Sequence, residues 1–253
     1  MKAQIVPLPG LRRHTYHYLM YASQFKAVAL DTEVDISQLL ERKEKWKERG
    51  QRIGYVAFLI EGISKVLRDY PRANVSLKGG IQPKLAVFPE ITAKFMINKR
   101  VNGEQIVMSG VISESDQKQV DEIQGTIDYF SQSEVEELQE LRGVRLLQSL
   151  PVWLGQWVYR LAMGNLSKRN QMQGTFAISS LGQQPVQAFY PIISNTLCFG
   201  MGTAEQRPVV IDGQITIRPM MKLSLVFDHR AIDGALAAEI LGKVKQQVEC
   251  MSE

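Results

Sequence analysis

The residues with the most chemistry in this 253-residue chain lie in one run, Leu223-Ser-Leu-Val-Phe-Asp-His-Arg-Ala-Ile-Asp-Gly234. An apolar, strand-like segment stops at His229, and Asp233 follows four residues on. An imidazole has an ordinary pKa near neutrality, so one mounted at a rigid strand end can take a proton from an incoming nucleophile. The same residues also fit a plainer arrangement, with the His satisfied at the strand end and Asp233 capping the next helix. The residues alone leave both readings open. The other two histidines, His14 and His17, are three apart near the N-terminus. Such a pair can chelate a metal, but no third ligand is in view and aromatics surround it. They read as packing or surface residues, and no metal is expected.

The elements that must hold His229 follow from periodicity. Residues 11–24 read as a helix and 26–35 as a strand. A charged helix opens at Ser37 and ends at Gly50, its mixed signs marking a solvated face. Residues 53–70 carry an apolar helical stripe that Pro71 stops. Strands at 92–101 and 105–112 flank Asn102-Gly103, a strong hairpin signal. Residues 115–148 read as helix in two pieces, and an amphipathic, Trp-bearing segment spans 150–163. Strands are then expected at 175–180, 195–202, 208–210 and 214–227, with a last helix at 235–249. Strands with helices between them and no linker imply a single α/β or α+β domain.

Composition narrows the class. Hydrophobic residues make up 45% of the chain, enough for a sizeable core. A net charge of +4 is too small to argue for nucleic acid. Two cysteines, Cys198 and Cys250, give no disulfide framework and fit a reducing cytoplasm. The N-terminal residues lack the apolar stretch of a signal peptide, and no run is long enough for a membrane span. A soluble, cytoplasmic protein is expected.

Three stretches together resemble a known family: Gly174-Thr-Phe-Ala-Ile-Ser-Ser-Leu-Gly182, Pro208-Val-Val-Ile-Asp-Gly213, and Arg218 through Gly234. They are similar to the catalytic domain of the acyltransferase component of 2-oxo acid dehydrogenase complexes, whose fold is shared with chloramphenicol acetyltransferase. Pro7-Leu-Pro-Gly-Leu-Arg-Arg13, Glu33-Val-Asp35 and Asp69-Tyr-Pro-Arg-Ala-Asn-Val-Ser76 extend the likeness over nearly the whole chain. The resemblance implies one α/β domain over 1–253, a chloramphenicol acetyltransferase-like two-layer sandwich with a mixed β-sheet flanked by helices. It implies His229 as general base on a thiol or hydroxyl attacking a thioester, and Ser179 as the hydroxyl that stabilises the oxyanion. Without it, Ser179 reads as a strand hydroxyl bonded to backbone. Asp233 is implied to be a structural carboxylate paired with an N-terminal arginine, Arg12 first and Arg13 second. Asp228 and Arg230 are expected to pair across the turn. Coenzyme A or its acyl thioester is the implied substrate. The implied assembly is a homotrimer with His and Ser supplied by different subunits.

The chain also departs from that pattern. It starts almost at the catalytic domain, without a lipoyl domain, a peripheral-subunit-binding domain or an Ala/Pro-rich linker. The acyl group is therefore expected in trans, from coenzyme A or from an acyl or lipoyl carrier protein. The tail Lys245-Gln-Gln-Val-Glu-Cys-Met-Ser-Glu253 is polar where the family's large cores use an apolar hook, so an isolated trimer is expected. The segment at about 131–170 reads as an inserted or extended helical stretch with Trp153, Trp157, Tyr159 and Met163 on a helical period. Ordinary packing, a wall or lid of the acyl pocket, and a membrane-surface or partner helix all fit it. The leading expectation is a thioester-dependent acyltransferase acting on a thiol, hydroxyl or amine. A minimal dehydrogenase core served by a lipoyl protein in trans is the second reading, and an inactive trimeric scaffold the third. Retention of His229, Ser179, Asp233 and a candidate arginine argues against the scaffold.

Overall fold

A computed structural model describes residues 3–101, 103–135 and 137–251. In chain order the elements are α1 (Arg13–Ala22), β1 (Ala27–Asp35), α2 (Ser37–Glu48), α3 (Tyr55–Leu67), β2 (Val75–Lys78), β3 (Lys84–Val87), β4 (Ala93–Val101), β5 (Glu104–Ile112) and α4 (Val120–Gln132). They continue with α5 (Arg142–Ser149), α6 (Val152–Gly164), α7 (Leu166–Gln173), β6 (Phe176–Ser180), β7 (Leu197–Ile211), β8 (Gln214–Asp228) and α8 (Gly234–Glu249).

Six strands form one mixed sheet in the order β1-β8-β7-β6-β4-β5, and β2 and β3 form a separate hairpin. Among the described residues, the β4–β6 and β6–β7 pairs are parallel and the other pairs antiparallel. Alternation along the strands divides the sheet's residues between its faces. Phe95, Phe176, Ile178, Leu197, Phe199, Leu225 and Phe227 join the main core with residues of α3 and α8. The opposite face carries Ala177, Cys198 and Val226, packed with Phe25 and Met96. Over this second face lie α1 and α6, joined through Tyr21, Tyr159 and Met163.

The stripe expected in α3 is present: Leu59, Ile60, Ile63 and Leu67 are buried. The same helix buries Glu61, whose carboxylate takes Arg42 of α2 at 2.5 Å and Lys65 at 3.1 Å. Burial alone would raise this carboxyl, but the two cations outweigh it and hold it below the ordinary glutamate range. A depressed folded-state pKa gives stability that is present above the unfolded-state pKa and is lost as pH falls through the folded value. Glu61→Gln should therefore cost about 3 kcal/mol at neutral pH, and its melting temperature should fall less than the parent's on acidification below the ordinary glutamate range. Thermal melts of both proteins across pH check this.

Some elements differ from the sequence reading. β7 is one strand of 15 residues, not two pieces, with a register irregularity between Met201 and Ala204. β6 pairs with β7 only as far as Met201, so beyond it β7 is an edge where Pro208 removes no ladder bond to a neighbour on that side. The distal β7–β8 ribbon exposes Val210, Ile215 and Ile217. The β2–β3 hairpin was not anticipated, and α7 carries the helical stretch expected to about residue 170 on to Gln173. β4 and β5 pair as expected, with Val101 opposite Glu104; Asn102 of the turn lies outside the described residues, as do Ser252 and Glu253 of the tail.

Candidate active site

His229 follows the last residue of β8, and its turn is held from several directions. The His229 N–H donates to Lys26 O at 2.9 Å, while Asp228 N donates to Thr196 O at 3.0 Å. The Asp228 carboxylate, almost fully buried, accepts from Arg230 Nη2 at 2.6 Å and from Arg230 Nε at 2.9 and 3.1 Å. Asp228 Oδ1 also accepts from the backbone N–H of Lys26 and of Arg230, each at 3.3 Å. The Arg230 guanidinium lies over the Phe25 ring at 5.1 Å. Asp228 and Arg230 thus frame the turn as a charge-assisted clamp. The His229 ring is exposed in the single chain and rests 5.5 Å from the Phe227 ring, its ring nitrogens without a hydrogen-bond partner among the described residues.

Asp233 is the N-cap of α8, with Oδ1 accepting from Leu236 N at 2.9 Å. The pairing expected with Arg12 or Arg13 is not formed in this chain. Arg13 instead donates to the carbonyls of Gln148 (3.3 Å) and Leu150 (2.9 Å), drawn away by the turn between α5 and α6, and Arg12 is exposed. The carboxylate's visible work is to satisfy an orphan helix N–H. Asp233→Ala should then cost about 1 kcal/mol, whereas Asp233→Asn, an equally good cap, should leave the denaturation midpoint unchanged. A large loss in Asp233→Asn would point instead to a charge partner.

Ser179 lies on the second sheet face, in the same alternation as Ala177. Its strand is seated by Gly174, whose φ is +66° and where a Cβ would lie 2.7 Å from Thr92 O, so no side chain fits. Ser179 is half-buried, and its hydroxyl makes no hydrogen bond among the described residues. It is paired with Gly200, and Gly200 with Ser224. A Cβ at Gly200 would sit 2.0 Å from Phe189 O, so the loop before β7 crosses the strand where only glycine fits.

Ser179, Gly200 and Ser224 form one row across the sheet. His229 lies five residues beyond Ser224. At about 3.3 Å per residue and about 4.8 Å per strand, that separates Ser179 from His229 by roughly 19 Å within one chain. The chain mounts both groups rigidly and keeps them apart.

The region behind the turn adds residues that sequence reasoning missed. Arg169 of α7 donates to Met163 O, Ser76 Oγ and Leu77 O, and lies over the Tyr21 ring at 5.8 Å. Lys94 of β4 is buried, donates to Gln173 Oε1 at 2.5 Å and lies over Tyr18; burial pushes its pKa down to about 8. The available signal was a lysine inside the otherwise apolar Ala93–Ile97 alternation. His17 is buried with Nδ1 3.1 Å from Gln156 Oε1, and His14 Nε2 lies 3.3 Å from Val107 O, so both are packing residues. Among the described residues no group of three or more His, Cys, Asp or Glu could hold a metal ion.

The mixed sheet with its flanking helices has the chloramphenicol acetyltransferase-like fold. Chloramphenicol acetyltransferase itself superposes with a TM-score of 0.51 at 13% identity, over 98% of this chain and 100% of that one. The chain belongs to the family of 2-oxoacid dehydrogenases acyltransferase catalytic domains, which matches residues 1–140 and 154–253. The unmatched residues, 141–153, hold α5 and the first two residues of α6. A probable dihydrolipoamide acetyltransferase from Listeria monocytogenes 4b F2365 has a TM-score of 0.74 at 24% identity, over 99% of this chain and 96% of that one. The succinyltransferase component of the 2-oxoglutarate dehydrogenase complex of Rickettsia conorii (strain ATCC VR-613 / Malish 7) is 27% identical over 259 residues, covering 98% of this chain and 56% of the relative. The chain spans about half the length of the curated relatives it matches.

Proposed function

We propose that the chain is a thioester-dependent acyltransferase that works as a homotrimer, with His229 of one subunit facing Ser179 of the next. The observation that carries this reading is the separation of the two groups along the sheet. A general base and an oxyanion donor must both lie within about 3 Å of the reacting atoms. Two groups some six times farther apart serve one carbonyl only when two chains bring them together. Exposure of the His229 ring and of the ribbon residues Val210, Ile215 and Ile217 fits a surface that a second copy covers.

In the proposed reaction His229 takes the proton from an attacking thiol, hydroxyl or amine as the new bond to the thioester carbonyl forms. The Ser179 hydroxyl donates to the oxyanion. Collapse expels the donor thiolate, which recovers the proton from His229. The Asp228–Arg230 clamp keeps the imidazole at a fixed height above the strand end. Coenzyme A, or a lipoyl or acyl carrier, serves as the thiol partner.

The test is to incubate the protein with a panel of acyl-coenzyme A thioesters and follow thiol release, with and without dihydrolipoamide. Release that depends on His229 supports the acyltransferase, and a requirement for dihydrolipoamide identifies the acceptor. Absence of release with every donor and acceptor pair removes coenzyme A as the donor.

A further inference from the structure

Acidic residues are unevenly placed in this chain. Residues 1–30 and 141–204 contain no Asp or Glu, so all 26 lie elsewhere. The same two stretches carry four and five Lys or Arg. In the fold they meet, because α1 packs on α5 and α6.

Helix α6 turns Gly155, Tyr159 and Met163 inward. A methyl group at Gly155 would come within 2.5 Å of His17 Nε2, so the two helices are close-packed there. Its opposite side shows Trp153, Trp157 and Leu161 at successive turns, 74%, 60% and 58% exposed. Leu146 of α5 and Tyr16 and Met20 of α1 add further exposed apolar side chains. Helices α5 and α6 also expose the cations Arg142 and Arg160, and Lys168 is exposed on the following α7. Part of this surface comes from residues 141–153, which the family match skips.

Two large aromatic side chains held outward on one helix face call for a partner. The charge selects which. Two copies meeting through this face would set cation against cation, with no Asp or Glu on α1, α5 or α6 themselves to pair them. A helix face with tryptophan and leucine outward, flanked by arginine and lysine, is the composition of a helix lying in a lipid headgroup layer. We propose that the α1–α5–α6 face docks on an anionic lipid surface, with α6 lying along the headgroup plane. This does not require a span, and no helix among the described residues is long and apolar enough to cross a membrane. It also stands independently of the acyltransferase reading.

The test is co-sedimentation of the full chain with vesicles of phosphatidylcholine alone and of phosphatidylcholine mixed with phosphatidylglycerol, with tryptophan emission recorded. Binding to the phosphatidylglycerol vesicles with a blue shift, weakened by salt, is expected. Trp153→Ser with Trp157→Ser should weaken it by about tenfold or more, and Arg142→Gln with Arg160→Gln should reduce the preference for the anionic vesicles. Circular dichroism and light scattering should show both variants folded and unchanged in assembly size. Failure to sediment with the phosphatidylglycerol vesicles would overturn the proposal, as would undiminished binding by both variants. A smaller assembly in the tryptophan variant without vesicles would also overturn it, and would assign the face to contacts between copies. If the tryptophan variant does not fold, the arginine variant still decides the outcome through its vesicle preference.

Discussion

Replacing His229 with alanine is expected to lower thioester transfer by about 10³-fold while leaving the folded assembly intact. The reason is local. The ring of His229 is exposed and touches Phe227 on one side, while the turn is held by backbone bonds and by the Asp228 carboxylate. Truncation therefore removes a proton acceptor without opening a cavity in the core. Initial rates of thiol release, measured beside melting temperature and scattering mass, separate the two effects. A variant that keeps most of its rate would remove His229 from the mechanism. A variant that loses rate only by losing its fold would make His229 structural.

Ser179→Ala should lower turnover by about 10²-fold to 10³-fold and leave the Michaelis constant of the donor nearly unchanged, because the hydroxyl donates strongly only as the oxyanion develops. The sharper experiment combines the two inactive variants. If each site draws His229 from one chain and Ser179 from its neighbour, every mixed trimer of His229→Ala and Ser179→Ala chains contains one intact site among its three. Co-expressed with separate affinity tags and purified through both, the mixture should recover about one third of the parent rate, by that site count. Recovery of none would mean that both groups act within one chain, in conflict with the spacing along the sheet.

The fold was legible where burial imposes a period. The α3 stripe, the β4–β5 pairing and the apolar run of β8 all have one face in the main core, so alternation or a helical repeat appears directly in the residues. The turn at His229 was legible for the same reason: an apolar strand that stops at Asp-His has to end there. The β2–β3 hairpin was not, because each strand is only four residues long, too short for an alternation to stand out, and the loop Gly79-Gly-Ile-Gln-Pro83 is not a short hairpin turn signal. The extent of helix α7 was hidden by its composition, Leu-Ser-Lys-Arg-Asn-Gln-Met-Gln, which is held by the hydrogen bonds of Arg169 and Asn165 rather than by an apolar face. Continuity of β7 was masked by Pro208, which a free strand edge tolerates. The resemblance led to an Asp233–arginine pair that this chain does not make, since Arg13 is taken by carbonyls that the α5–α6 segment brings to it. Distance between His229 and Ser179 was beyond the sequence altogether, because it depends on the register of three strands.

The β7–β8 ribbon has a mechanical consequence. β8 runs unbroken from Gln214 at its exposed tip to Asp228, the residue before His229. Tip and His229 turn are therefore two ends of one stiff beam roughly 50 Å long. A neighbour that grips the tip sets the pitch of the beam, and with it the angle at which the imidazole is presented. In the proposed trimer assembly and alignment would become a single adjustment, so a substitution at Ile215 or Ile217 is expected to misalign the imidazole of His229 rather than remove it.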